Sequence, residues 1–599
     1  MKSHEPLLCR LRARARRVAW LLEGAVAVST LAFAAICVLV IATPFETRHA
    51  VIALPYQQLT LSELVWLVAA AAWVASQLAR RKMPAWRTPV TTSWLGWMAV
   101  MTVAALAADA ERANAIKTSG RLLVLGLTGL MVATSVTTVR RMALVLVAAA
   151  LAGFVVACFA ILEAWGVPAV VAGLGAFRDG VRVVGGQVRA SSTLQYPTIT
   201  AMYLELVFCG ALGVLLWLCE RRQWRSATAV FAGLLVLIAG LSLTLTRAAM
   251  LAAMSGVLLA GWLRYRQRGL DRGFALVAAC AAGLAIAPVM LGSSELARAR
   301  WTTDNRQGWY RASFEAPSEV TGHPGELMTV PVAVVNQGKV TWSPNADPPF
   351  HISYHWVDAT TTRVVAFDGA RTPLPTAVAP GARLLLPANV RFPQTPGSYR
   401  IAWDVVQEGR LWFIAEPGTA TTFTGASVIG IQSHSPPSER TPPRRWPEVL
   451  PAAAIIPGRL ALWHVALQMA ADHPWLGVGP DNFRLRYGSY LPEADADTKV
   501  HSNNVYLEVL TGGGVFAATA FLWFLWRVIE MVRAQRRRLL GPALAVYTGV
   551  AAAGLAYLAH GLLDSFLTFT PTAFASAVIL GLTIAPTQWA DIAVLDEAS

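Results

Sequence analysis

Hydrophobic positions in this chain gather into long unbroken runs, not the alternating or amphipathic stretches of a water-soluble fold. A hydrocarbon layer about 30 Å thick is crossed by roughly 20 helical residues. Runs of that length occur at about 18 to 42, 62 to 79, 90 to 108, 121 to 138, 142 to 164, 197 to 219, 226 to 246, 247 to 264, 273 to 292, 513 to 533, 541 to 563 and 568 to 586. Lipid offers no partner to a backbone N–H or C=O, and a helix satisfies both internally. The pattern predicts an all-α polytopic membrane protein of about twelve transmembrane helices. The first run is longer than the roughly 7 to 15 residues of a signal-peptide core and lacks a small-residue cleavage site, so it is expected to stay as the first span.

The pattern changes once. From Trp309 to about Gly430 the apolar positions shorten and alternate, as in Met328 to Val335, His351 to Val357, Arg383 to Leu386 and Gly397 to Val406, with Pro, Gly and Asn between them. About seven short strands at this spacing predict a β-sandwich. The Pro-rich stretch 431 to 457 reads as an extended linker. The chain thus divides into a first membrane part (1–292, about nine spans), the sandwich insert (309–430), the linker (431–457), a polar loop (458–512), a second membrane part (513–586, about three spans) and a tail (587–599).

Composition agrees with lipid as the solvent. The 599 residues are 55% hydrophobic and only 14% charged, against roughly 25% charged in soluble domains, and mean hydropathy is +0.48. The net charge of +15 would point to nucleic acid in a soluble protein. Here the basic residues cluster at the ends of apolar runs, so no nucleic-acid partner is expected. The N-terminal tail, Arg80 to Lys82, Arg140 and Arg141, Arg221 to Arg225, Arg264 to Arg268 and Arg533 to Arg538 fall on one side when every run spans. By the positive-inside rule that side is cytoplasmic. Both termini are then cytoplasmic, and Pro168 to Thr198, the neighbourhood of Arg247 and all of Ser293 to Gly512 lie outside. None of the six cysteines falls between Ser293 and Gly512, which argues against a disulfide framework or a cysteine metal site there.

The polar residues most apt for chemistry follow the linker. Leu460, Trp463, Leu467 and Ala470 share one face of a short helix suited to a membrane surface, ended by His473 and Pro474 and a turn at Gly477 and Gly479. No strand-to-helix context surrounds these two glycines, so they read as a tight turn and not a phosphate cradle. His501 to Glu508 then leads through Gly512 to Gly514 into the next span. His560 and Asp564, four residues apart at the end of the eleventh span, read as a pair on one helix face. Glu205 in the sixth span is a buried charge whose partner the sequence does not name.

These stretches resemble, in order, the O-antigen ligase and O-antigen polymerase superfamily. The resemblance rests on Arg459, Trp463, Asp472 to Phe483, Asn503 to Glu508 and the Gly512 to Gly514 turn, preceded by Arg189 to Ala201 and by Ser242 to Arg247. It covers most of the chain outside the insert, whose own pattern resembles bacterial immunoglobulin-like modules. The family implies an architecture like that of the multi-span C-type glycosyltransferases. It also implies transfer of a glycan from an undecaprenyl-pyrophosphate carrier to a lipid, glycan or protein hydroxyl acceptor, on the outer face of the bacterial cytoplasmic membrane. Such chemistry needs cations on the leaving pyrophosphate and a base at the incoming hydroxyl. Arg189, Arg247 and Arg459, with Tyr506, are the expected pyrophosphate- and glycan-binding residues, since a guanidinium binds phosphate oxygens in bidentate fashion. His501 or Asn503 is expected at the base position: Asn503 stands where many members carry histidine, and a shift of two residues in an extended backbone keeps His501 on the same side. His560 and Asp564 are supporting candidates. With no Asp-x-Asp motif, neither a metal nor another cofactor is expected. A polysaccharide or lipid exporter, and a scaffold that presents the sandwich outside the cell, are the readings from other classes.

Overall fold

The computed structural model of the chain describes residues 26–53, 58–80, 88–178, 182–184, 187–291, 309–346, 349–408, 411–415, 421–429, 458–491, 498–567 and 569–589. Thirteen of its helices frame the site: α1 (Val26–Phe45), α2 (Leu61–Arg80), α3 (Pro89–Ala107), α4 (Arg112–Ser135), α5 (Val139–Ala164), α6 (Pro197–Glu220), α7 (Trp224–Leu243), α8 (Arg247–Arg268), α9 (Arg272–Leu291), α10 (Arg459–Asp472), α11 (Val505–Arg538), α12 (Gly541–Gly561) and α13 (Thr570–Ile584). Among the described residues, eleven helices are long and apolar enough to cross a membrane, against about twelve expected. The difference is α9. Its described apolar stretch, Arg272–Ala287, falls short of the spanning length. The basic tail at 10–17, the 81–87 loop, the 431–457 linker and the end of the C-terminal tail lie outside the described residues.

The bundle is built around α6, whose apolar window is wholly buried. Small residues bring its neighbours close. A Cβ added at Gly213 would lie 2.4 Å from the Val546 carbonyl of α12, and one at Gly549 would lie 2.5 Å from the Gly213 nitrogen. The two backbones cross in contact there, the arrangement that lets dispersion replace the missing hydrophobic drive between helices in lipid. The helices after the insert therefore complete the same bundle as those before it: α11 packs on α3, through Trp97, Phe521 and Phe524, and α13 packs on α4.

The insert forms two facing sheets. Ala312–Glu315, Leu327–Asn336 and Arg383–Arg391 make a three-stranded antiparallel sheet, and the second sheet runs Thr372–Pro373, Phe350–Asp358, Gly397–Gln407, Phe423–Val428, Glu319–Gly322. The last two strands are parallel. Alternate residues of both sheets point inward, so Val330, Val332, Val334, Leu386 and Val390 meet Ile352, Tyr354, Trp356, Ile401 and Trp403 in one core. The strands outnumber the seven expected because short pieces such as Val364–Ala366 and Leu411–Trp412 pair along the edges. His355 is buried between strands, its Nε2 3.2 Å from Asp404 Oδ2 and its Nδ1 on the Phe367 carbonyl. Asp404 Oδ1 accepts the N–H groups of Val405 and Ile414 at 2.8 and 3.2 Å.

Candidate active site

Two of the motifs read from the sequence fold into one structure. Arg189 ends a short strand, Gln187–Arg189, and the Ser191 and Ser192 N–H groups after it donate to Glu163 Oε2 at 3.0 and 2.7 Å. Arg178 clamps the same carboxylate and donates to the Ser192 carbonyl at 2.8 Å. Thr193 and Thr200 hydroxyls tie the turn to the Pro44 and Ser191 carbonyls. The turn carries Ser192 at φ +53, a conformation that costs a non-glycine residue and persists only where the surroundings over-determine it. So anchored, Arg189 is 2% exposed and reaches the second motif: its Nε donates to the Thr244 carbonyl at 3.1 Å and its Nη2 to Thr246 Oγ1 at 3.3 Å. Arg247 follows at once as the first residue of α8.

Arg247 and Arg459 both occupy the first position of a helix whose first turn has no acidic residue. A helix N-terminus already carries about half a positive charge, so a cation there is locally unfavourable and deepens a potential that favours anions. Arg459 keeps a buried Nε without a hydrogen bond.

The predicted surface helix is α10. Its protein-facing side is Leu462, Val465, Ala466 and Met469, packed on Val478, Phe483 and Tyr487. Leu460 and Leu467, of the expected apolar face, stay exposed, as they would in a helix lying on lipid. After α10 the chain turns at Gly477 (φ +62) and Gly479 (φ +98) and crosses α11 where that helix breaks at Gly514 (φ +66). The break frees backbone groups that the turn recovers: the Val478 N–H donates to the Thr511 carbonyl at 2.8 Å, and the Val515 N–H to the Pro474 carbonyl at 2.7 Å. A Cβ on Gly514 would sit 2.2 Å from the Trp475 carbonyl, and one on Gly477 2.2 Å from that of Thr511. Only glycine fits this crossing.

His501 lies beside it, 9% exposed. Its Nδ1 is 3.5 Å from Glu508 Oε1 and 3.7 Å from Asp481 Oδ1, and these three buried atoms have no hydrogen-bond partner. Each carboxylate is held by its other oxygen. Glu508 Oε2 accepts the N–H and hydroxyl of Ser502 at 3.1 and 2.7 Å. Asp481 Oδ2 accepts Arg484 Nη2 at 2.9 Å and Asn114 Nδ2, on α4, at 3.2 Å. Burial alone would push the His501 imidazole down. The close approach and charge of Glu508, and the charge of Asp481, outweigh it, so His501 titrates above the ordinary histidine value despite the opposing charge of Arg484.

Asp481, His501 and Glu508 form the one group among the described residues whose ligand atoms, all within 4.8 Å of one another, are close enough to share a cation. The local charge is already matched: two carboxylates face the Arg484 guanidinium and an imidazole inclined to be protonated.

The structure differs from the sequence reading in three places. His560 pairs with Glu205, Nδ1 to Oε2 at 2.8 Å, and not with Asp564. The regular α12 helix stops at Gly561, and although the Asp564 N–H donates to the His560 carbonyl at 3.0 Å, the two side chains take different partners. Asp564 lies instead where Arg459 and His501 both act on it. Burial pushes its carboxyl up, and the Ser565 N–H and those two cations oppose the rise. Secondly, Asn503 has φ +53, so the backbone from His501 is not extended and the two residues are not equivalent by a strand shift. Asn504, not Asn503, caps α11, accepting the Tyr506 and Leu507 N–H groups at 2.9 and 3.0 Å. Thirdly, the Tyr506 hydroxyl is engaged in helix packing, donating to the Leu558 carbonyl at 3.0 Å. Glu163 and Arg178 anchor the Arg189 turn, Asp481 and Glu508 face His501, and the sequence reading gave none of the four a role.

Residues 451–522 match the family model described as O-antigen ligase. The matched segment runs from the linker through α10, the glycine crossing and the His501 cluster into α11. No curated protein matches the chain.

Proposed function

With an O-antigen ligase domain at residues 451–522 of a multi-pass membrane protein as the premise, we propose that the chain transfers a glycan from an undecaprenyl-pyrophosphate carrier to a hydroxyl acceptor. The reaction takes place on the outer face of the bacterial cytoplasmic membrane, with both termini on the cytoplasmic side. The observation that carries this reading is the assembly of Arg189 with the Thr244–Arg247 turn, two family-like motifs joined by hydrogen bonds.

The acceptor oxygen attacks the anomeric carbon, the bond from that carbon to the phosphate oxygen breaks, and undecaprenyl pyrophosphate leaves with the electron pair. Arg247 and Arg459, each at a helix N-terminus, stabilise the charge growing on the pyrophosphate, and Arg189 sets the Arg247 turn and adds its own charge. His501 takes the acceptor proton. Asp564, between Arg459 and His501 in its electrostatic environment, orients the two. The arginines supply the charge compensation that a divalent ion gives other transferases, so no metal enters the scheme. Asn503 contributes polar surface at the mouth of α11.

The test is transfer from a labelled lipid-linked glycan by the reconstituted protein, offered lipid, sugar and protein acceptors in turn. Arg189→Ala and Arg247→Ala are expected to lose transfer by roughly 100-fold or more while inserting normally. Full activity in both variants would remove the assignment.

A further inference from the structure

The three orphaned atoms at His501 define a role for two residues that the reaction scheme has not used. We propose that Glu508 and Asp481 are positioning residues that hold His501 by its Nδ1 edge, leaving Nε2 as the nitrogen that meets the acceptor hydroxyl. This rests on the glycan-transfer reading for its chemistry, but not for its geometry.

The geometry is selective about which nitrogen is held. Nδ1 is buried and faces both carboxylates, at 3.5 and 3.7 Å. These distances are slightly beyond hydrogen-bond length, as resting sites often are before substrate tightens them. The side chain is 10% exposed, and since Nδ1 is buried that exposure belongs to the rest of the residue. A carboxylate facing Nδ1 favours the tautomer with its proton there, which makes Nε2 the free base. It also stabilises the imidazolium formed once Nε2 takes a proton.

The two carboxylates are not equivalent. Glu508 is held only by neutral donors of Ser502, so its full charge faces the imidazole. Asp481 already shares its other oxygen with Arg484, and Asn114 braces both, donating to Asp481 and accepting from Arg484 Nη2 at 3.0 Å. Glu508 is therefore the principal partner, and Asp481 fixes the ring against the side of α4. Phe569 closes the site with its ring edge-on to the imidazole, centroids 5.8 Å apart. The charged groups bearing on His501 are Glu508 from α11, Asp481 and Arg484 from the loop after α10, and Asp564 from the end of α12.

A cation held by the same three side chains is the competing explanation. Two carboxylates against Arg484 and a protonated His501 sum to zero, so an added divalent ion would leave the buried cluster with a net charge of +2, or +1 after the imidazole loses its proton. Burial makes either costly.

The test measures His501 without relying on turnover. Carbethoxylation of the full-length protein in nanodiscs, quantified by peptide mass spectrometry across pH, reports the fraction of neutral imidazole at His501, with His464 as internal reference. The wild-type midpoint is expected above about 6.5. Glu508→Gln should lower it by roughly 1 unit or more, and Asp481→Asn by less, with the pH profile of glycan transfer moving in parallel and donor KM unchanged. An unmoved midpoint in Glu508→Gln, in protein whose thermal unfolding is normal, overturns the proposal. So does a wild-type midpoint that shifts when Mn2+ or Zn2+ is added, which would assign the cluster to a cation. If the midpoints move as expected but no acceptor is glycosylated, the positioning stands and the glycan reading falls. If transfer is robust and the midpoints coincide, the reverse holds.

Discussion

Among the described residues three histidines, His355, His501 and His560, are buried against aspartate or glutamate, and the first two are built on opposite terms. In the sandwich, His355 has Asp404 on one nitrogen and the Phe367 carbonyl on the other, and Asp404 spends its second oxygen on two N–H groups. Beside the membrane bundle, His501 faces two carboxylates, and three polar atoms are left without partners. Unmade hydrogen bonds inside a protein are expensive, and three converging on one imidazole are a place that a polar substrate could complete. The first histidine is fully partnered within the sandwich, and the second, on the proposed reading, is the one held for chemistry.

The sharpest way to break that comparison is to remove each imidazole in turn. His501→Ala should lower glycan transfer by roughly 100- to 10,000-fold with little change in thermal unfolding of the membrane part. His355→Ala should cost the sandwich about 1 to 3 kcal/mol, because Asp404 Oδ2 would stay buried without its imidazole partner. Limited proteolysis between residues 309 and 430 would report this, with transfer per folded molecule retained. If His355→Ala abolished transfer while the sandwich resisted protease, the division between the two sites would fail.

Smaller effects refine it. Gly514→Ala, which meets the Trp475 carbonyl in a left-handed backbone, should destabilise by about 1 to 3 kcal/mol and reduce transfer as well, measured as a joint fall in melting temperature and rate. The pH dependence has a fixed sign. In the proposed scheme His501 works as the neutral base, and it is held above the ordinary histidine value. The rate should therefore fall about tenfold per unit as pH drops below that raised value, and level off above it. At the low end, Arg383→Ala in the exposed Arg383–Glu315 pair of the sandwich should change its unfolding midpoint by no more than about 1 kcal/mol equivalent.

The helices were legible because lipid imposes one pattern, about 20 apolar residues, and the chain obeys it. The glycine turn was legible too, since Gly477, Gly479 and Gly514 signal backbone that no other residue adopts easily. What they turn toward was not, because a glycine names a conformation and not its neighbour. The site's polar partners were hidden by chain distance. Asn114 meets Asp481 across 367 positions, and Glu205 meets His560 across 355. The local rule that paired His560 with Asp564 assumed a helix that ends three residues too early for it. The family motif did supply the order of Arg189, Arg247, Arg459 and His501 along the chain. The meeting of Arg189 with the Thr244–Arg247 turn rests on the Glu163 and Arg178 clamp, whose residues lie in no motif.

The crossing of the glycine turn over the broken α11 has a mechanical consequence. Asp481 follows Gly479 by two residues, and Glu508 precedes Gly512 by four, so the two carboxylates hang from opposite sides of a single joint. Separating the turn from the helix would withdraw Asp481 from the imidazole, while Glu508, bonded to Ser502 beside His501, would stay with it. The second carboxylate at His501 is thus supplied by one backbone joint, which closes only while Gly477 and Gly514 let the turn and the helix touch.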